Sequence, residues 1–231
     1  MKTLGIIGGI APESTVDYYR QIVAAYRARK GDGSYPAIII NSINLSKMRD
    51  LIFAGQNDEL VTFMSDEIQK LSAAGADFGL LASNTPHLVF DELESRSSIP
   101  LLSIVRATCQ AAKNRRFKKV GLIGTRFTMN GKFYPQVFAR EGIAIVTPER
   151  KDQEYTHNKY MDELVNEILL PETRAGILAV VDRMKESSRI EAVILGGTEL
   201  PLLLRDAGDA GIPFLDTTRI HVEAAVEKML D

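Results

Sequence analysis

Short apolar runs ending in Gly, Ser or Asn alternate along the chain with longer segments whose apolar residues recur at helical spacing. That is the pattern of β-α units feeding a parallel sheet. The runs predict strands at residues 3–7, 37–40, 78–81, 101–104, 120–123, 143–146, 192–195 and 214–215. Helical spacing predicts helices over residues 16–29, 86–94 and 104–112, and a terminal helix from His221.

The second set of strands repeats the first. Leu4-Gly5-Ile6-Ile7-Gly8 matches Val120-Gly121-Leu122-Ile123-Gly124, Leu80-Leu81-Ala82-Ser83-Asn84-Thr85 falls on Ile194-Leu195-Gly196-Gly197-Thr198-Glu199, and Ile99-Pro100-Leu101-Leu102 falls on Ile212-Pro213-Phe214-Leu215. The matches keep their order and a nearly constant spacing, which points to duplication. The expected architecture is α/β, with two pseudo-symmetric three-layer halves that each carry a four-stranded, mainly parallel sheet. Residues 1–98 with 212–231 should form one half and residues 99–211 the other, with a ligand cleft between them.

In open parallel sheets ligands bind beyond the C-terminal strand ends, where backbone N–H groups of helix starts point outward. Here that edge collects the small residues. Gly8 and Gly9 permit close backbone approach, and Ser14 or Thr15 can cap the following helix. The stretch is neither G-x-G-x-x-G nor a P-loop, so it lacks a nucleotide fingerprint; it also reads as plain strand-to-helix punctuation. Ser83-Asn84-Thr85-Pro86-His87 closes the third strand with Pro at the first helical position and Thr85 as cap, and its donors suit a carboxylate. His87, four residues past Ser83, is either a tuning partner for it or a structural histidine. Glu199, at a buried strand end, must be paired or functional, because an isolated buried carboxylate is costly. Asp216 and Thr217 can cap the last helix, and His221 is placed to face the cleft.

Composition narrows the classes. A chain of 231 residues with 45% apolar and 25% charged residues can bury a real core, and 28 basic against 30 acidic residues leave a net charge of −2 with no footprint for nucleic acid. No apolar stretch approaches the roughly 20 residues of a membrane span. The single cysteine, Cys109, excludes an internal disulfide framework and fits a reducing compartment, so a cytoplasmic location is expected. It falls within the helix predicted over residues 104–112, where core packing is the simplest reading.

The blocks Gly8-Gly9-Ile10-Ala11-Pro12-Glu13-Ser14-Thr15 with Tyr18-Tyr19-Arg20, Ser83-Asn84-Thr85-Pro86-His87, Gly124-Thr125-Arg126-Phe127-Thr128-Met129 with Phe133-Tyr134, Gly197-Thr198-Glu199, and Asp216-Thr217 with Ile220-His221 run in order across the whole chain. Together they resemble the cofactor-independent aspartate/glutamate racemases. The resemblance implies amino-acid chemistry without pyridoxal phosphate or metal, a small amino-acid or carboxylate ligand, and a homodimer. It further implies two cysteines on opposite faces of the substrate, one removing the α-proton and the other returning one. Their places correspond to Ser83, or Ala82 beside it, and to Gly197. Neither carries a thiol, and serine is a far poorer base than a thiol with a pKa of about 8.5.

The candidate catalytic set is therefore Ser83, Gly197, His87 and Glu199. The candidate substrate set is Gly9, Ser14, Thr15, Arg49, Asn84, Thr85, Thr125, Thr128 and Thr198. Arg49 is the candidate for an acidic side chain, with Asn44 and Arg126 as alternatives. Two functions fit: an isomerase moving the α-proton of aspartate, glutamate or a related acid, and an impaired homologue that binds a small carboxylate without racemising it. Restoring both thiols should recover some racemisation, unless the Gly197 backbone is closed to other residues.

Overall fold

In the computed structural model, residues 1–204 and 211–231 are described. The chain runs β1 (Leu4–Gly8), α1 (Pro12–Lys30), β2 (Ile38–Ser42), α2 (Leu45–Phe53), α3 (Asn57–Ala73), β3 (Phe78–Leu81), a 3-10 turn (Thr85–Val89), α4 (Phe90–Arg96), β4 (Leu101–Leu102) and α5 (Ile104–Asn114). It continues through β5 (Lys119–Gly124), α6 (Arg126–Asn130), α7 (Phe133–Arg140), β6 (Ala144–Val146), α8 (Arg150–Asp162), a 3-10 turn (Leu164–Asn166), α9 (Pro171–Ser188), β7 (Ala192–Gly196), α10 (Leu200–Leu204), β8 (Phe214–Asp216) and α11 (Thr217–Leu230).

Two compact units result, Met1–Ile104 with His221–Asp231, and Val105–Ile220. Each holds one sheet, ordered β2-β1-β3-β4 and β6-β5-β7-β8, and every pairing is parallel. The registers repeat as the sequence does. Leu4 lies opposite Phe78 and Val120 opposite Ala192, while Gly79 opposite Leu101 has its counterpart in Val193 opposite Phe214.

Central strands bury both faces, as apolar runs without alternation should. All five positions of β1 and of β7 are buried. In the first unit Leu4, Ile6, Phe78 and Leu80 pack with Tyr18, Ile22 and Tyr26 of α1 and with Val222, Val226 and Met229 of α11. In the second, Ile123, Val193 and Leu195 pack with Tyr160 of α8 and with Ile177, Val180, Val181 and Met184 of α9. Each such side chain removed from water contributes about 1.5–3 kcal/mol. Among the described residues no helix is long and apolar enough to cross a membrane.

Two local expectations are corrected. Helix α1 starts at Pro12 with Ala11 at its cap position and no side-chain cap, so Ser14 and Thr15 lie inside its first turn. The segment after Ser83 opens as a 3-10 turn instead of an α-helix, and Asn84 instead of Thr85 stands at its cap. The cause is local. His87 Nδ1 lies 3.1 Å from the Ser83 carbonyl, the acceptor that the His87 N–H would use in an α-turn, and that N–H donates to the Asn84 carbonyl at 3.0 Å.

Candidate active site at the strand ends

In the first unit the β1 turn is built for close approach. Gly9 has φ of 80°, and a Cβ there would lie 2.6 Å from the Ile43 carbonyl oxygen; a Cβ at Gly8 would lie 2.5 Å from the Thr15 methyl. Both positions therefore exclude a side chain. The Thr15 hydroxyl accepts the Gly9 N–H at 2.8 Å, so this residue holds the turn shut locally. Ser14 is buried beside it.

After β3, Ser83, Asn84 and His87 are all buried. The Ile104 N–H donates to His87 Nε2 at 3.3 Å, and a backbone N–H can only donate. Nε2 is thus the unprotonated nitrogen, and Nδ1–H donates to the Ser83 carbonyl. The ring also stacks on Phe90, with centroids 4.7 Å apart. His87 consequently braces the backbone of the turn and directs neither nitrogen at the Ser83 hydroxyl. Thr85 is half-buried at the turn's opening.

His221 is fully buried instead of facing open space. Its Nε2–H donates to the Leu102 carbonyl at 3.1 Å and its Nδ1 accepts from the Tyr18 hydroxyl at 2.9 Å. Burial lowers its pKa to about 4, so the ring is neutral at physiological pH. Arg49 projects into solvent, its side chain 48% exposed and 3.8 Å from Asp50. Asn44 caps α2, its side chain accepting the Ser46 N–H at 3.0 Å.

The second unit builds its turns differently. Thr125 caps α6 by accepting the Thr128 N–H at 3.3 Å, and the two hydroxyls lie 3.2 Å apart. His157 of α8 joins them through Nδ1, which accepts the Arg126 N–H at 3.2 Å. Burial, and then the Arg126 charge, hold His157 below its ordinary pKa. After β7, Thr198 and Glu199 are buried. Tyr160 of α8 donates its phenol proton to Glu199 Oε2, and the Thr198 hydroxyl donates to the same oxygen at 3.0 Å. Burial, with the Glu199 charge beside it, holds the Tyr160 phenol well above the tyrosine range, so it keeps its proton.

Gly197 has no positive φ, so its backbone is open to other residues. Space is the obstacle. A Cβ there would lie 2.3 Å from Tyr160 Cε2 and 2.6 Å from the phenol oxygen. Sequence reasoning named Glu199 and missed both Tyr160 and His157. The one available signal was their i, i+3 spacing on a helix.

Cys109 is buried, and its thiol is pushed up to about 11 by burial and the Glu141 charge, which keeps it protonated and unreactive. Among the described residues no group of three His, Cys, Asp or Glu side chains is placed to hold a metal ion. Two surface grooves of about 450 and 510 Å³ share Asp152 and Arg183, and contain none of the strand-end residues.

Two parallel sheets in one repeated strand order, each with small and polar residues at its strand ends, define an α/β protein built of two like units. The chain belongs to the Asp/Glu/Hydantoin racemase family, whose model matches residues 7–225. It is 25% identical over 240 residues to the broad specificity amino-acid racemase RacX of Bacillus subtilis (strain 168), across 98% of both chains. Among solved structures, a candidate Asp/Glu racemase from Yersinia pestis superposes with a TM-score of 0.91 at 34% identity, over 100% of both chains. An aspartate racemase homologue from Pyrococcus horikoshii OT3 superposes with a TM-score of 0.84 at 33% identity, also over 100% of both. Family homology supports amino-acid racemase activity in general.

Proposed function

We propose that this protein is a racemase-family isomerase that binds aspartate, glutamate or a related small carboxylic acid and moves its α-proton without a cofactor. The observation that carries this reading is the duplicated turn: Ser83-Asn84-Thr85 after β3 and Gly197-Thr198-Glu199 after β7 end equivalent parallel strands. Backbone N–H groups at such ends favour a carboxylate, and hydroxyl donors strengthen as charge develops on it. In the first unit Gly9, Ser14, Thr15, Asn84 and Thr85 are the candidate ligand contacts, and in the second Thr125, Thr128 and Thr198.

A second reading, binding with impaired racemisation, is favoured by Ser83 and by the phenol that fills the space beside Gly197. One experiment separates them. Thermal shift with a carboxylate panel reads binding, where ligand at 100 times its dissociation constant adds about 2.7 kcal/mol. Chiral chromatography of the same amino acids reads turnover. Stabilisation with no inversion supports the second reading, and stabilisation with ready inversion the first. A flat thermal shift and flat calorimetric titration across the panel remove both.

A further inference from the structure

Tyr160 and Glu199 are the titratable pair that a cysteine-based scheme leaves without a task. The phenol oxygen sits 2.6 Å from where a Cβ at residue 197 would be, so the ring takes the space that a side chain there would enter. The backbone of Gly197 does not require glycine, so the missing side chain and the inserted ring form a matched substitution of volume. The residue is 5% exposed and belongs to one buried core cluster with Leu164, Ile177 and Leu200. Glu199 accepts from the phenol and from Thr198 on one oxygen. The Ser83 turn has no equivalent, since both nitrogens of its histidine are held by backbone groups.

We propose that the Tyr160–Glu199 pair is the one working acid–base group of this protein, so that it exchanges the α-proton of a bound amino acid on a single face and returns it without inversion. The inference rests on the amino-acid reading above. In the forward step the α C–H bond breaks and its proton goes to the phenol oxygen, while the phenol's own proton passes to Glu199 Oε2. The electron pair stays on the α-carbon and spreads into the substrate carboxylate. The reverse step delivers a proton from the same side. In deuterated water the shared proton is replaced by solvent deuterium, and the substrate becomes labelled with its configuration kept.

The test follows the α-proton NMR signals of L- and D-aspartate, glutamate and alanine in deuterated water, with chiral chromatography of the same samples and thermal shift for binding. One enantiomer should lose its α-proton signal and keep its configuration. Tyr160→Phe should slow that exchange about 10²-fold or more, the usual contribution of a positioned acid–base group, and leave ligand stabilisation unchanged. Glu199→Gln, which retains an acceptor for the phenol, should do the same and guards against misfolding of the first variant. Binding without exchange, exchange with inversion, or exchange that survives both substitutions overturns the inference and leaves the amino-acid reading standing. Absence of both binding and exchange overturns the two together.

Discussion

The turn after β3 and the turn after β7 are equivalent in the repeat, yet different helices furnish them. In the first unit the segment between the outer strand and β3 begins with α2, which buries only Met48 and Ile52 and leaves Arg49 in solvent. In the second unit the corresponding position holds α8, which carries Tyr160 to Glu199 and His157 to the Arg126 backbone. The two turns end equivalent strands, and they differ in what packs behind them. The space beside Gly197 is filled by Tyr160, a side chain from a helix far away in sequence.

This asymmetry predicts that the two missing thiols are not equivalent. Ser83→Cys alone should convert one-faced exchange into racemisation, because it adds a thiol acid–base group to the first unit's turn; the gain should be about 10²–10⁴-fold, the range for one acid–base group. Gly197→Cys should give none, alone or with Ser83→Cys, since its side chain would enter the Tyr160 ring. Chiral chromatography of aspartate over time decides it. Equal behaviour of the two variants would break the comparison. The expectation that a double thiol variant recovers activity thus changes, and the obstacle at Gly197 is the Tyr160 ring, not the backbone.

The strands were legible because buried parallel strands are short apolar runs with sharp ends, and the repeat survived in β1 against β5 and in β3 against β7. Strand-end turns followed from that register. Helix α8 was not legible. Its sequence, Arg150 to Asp162, is mostly charged or polar and buries only Thr156 and Tyr160, so its inward stripe is too narrow to show as periodicity. The roles of His87 and His221 were hidden for a different reason. Whether a histidine faces a ligand or the backbone depends on which main-chain groups the fold leaves unpaired beside it, and no spacing rule carries that.

Acid should separate the units next. His221 of the first unit has a folded pKa of about 4 against an ordinary value of 6.5. Between those values the unfolded chain binds the proton and the folded one does not, so stability is fully present above pH 6.5 and is lost as pH falls toward 4. The loss should be on the order of 3 kcal/mol. Urea unfolding at pH 7.5 and at pH 4.5 measures it, and His221→Gln should flatten the dependence. A wild-type curve unchanged over that interval would show that this buried imidazole does not control acid stability.

Packing behind Gly197 gives a smaller effect. Gly197→Ala should destabilise the protein by about 1–3 kcal/mol, the usual range for overpacking a filled core, because even one methyl group meets the Tyr160 ring. Combining it with Tyr160→Leu should bring the two costs below their sum, which marks them as coupled neighbours. Additive losses in chemical denaturation would mean that the ring and the turn are independent.

The smallest effect belongs to Arg49, and it tests what reads the substrate's side chain. Its guanidinium is half exposed and faces Asp50 at 3.8 Å, an arrangement in which a surface ion pair is worth little. Arg49→Ala should therefore change stability by no more than about 0.5 kcal/mol. If Arg49 holds the second carboxylate of an acidic substrate, the same variant should lose the thermal stabilisation by aspartate while keeping that by alanine, whose side chain offers nothing to pair. If Arg49 meets only solvent and Asp50, each ligand should give the same shift in the variant as in the unmodified protein. Because the fold is untouched in either case, the difference between the two ligands isolates recognition from stability, and an unchanged aspartate shift removes Arg49 from the substrate-binding set.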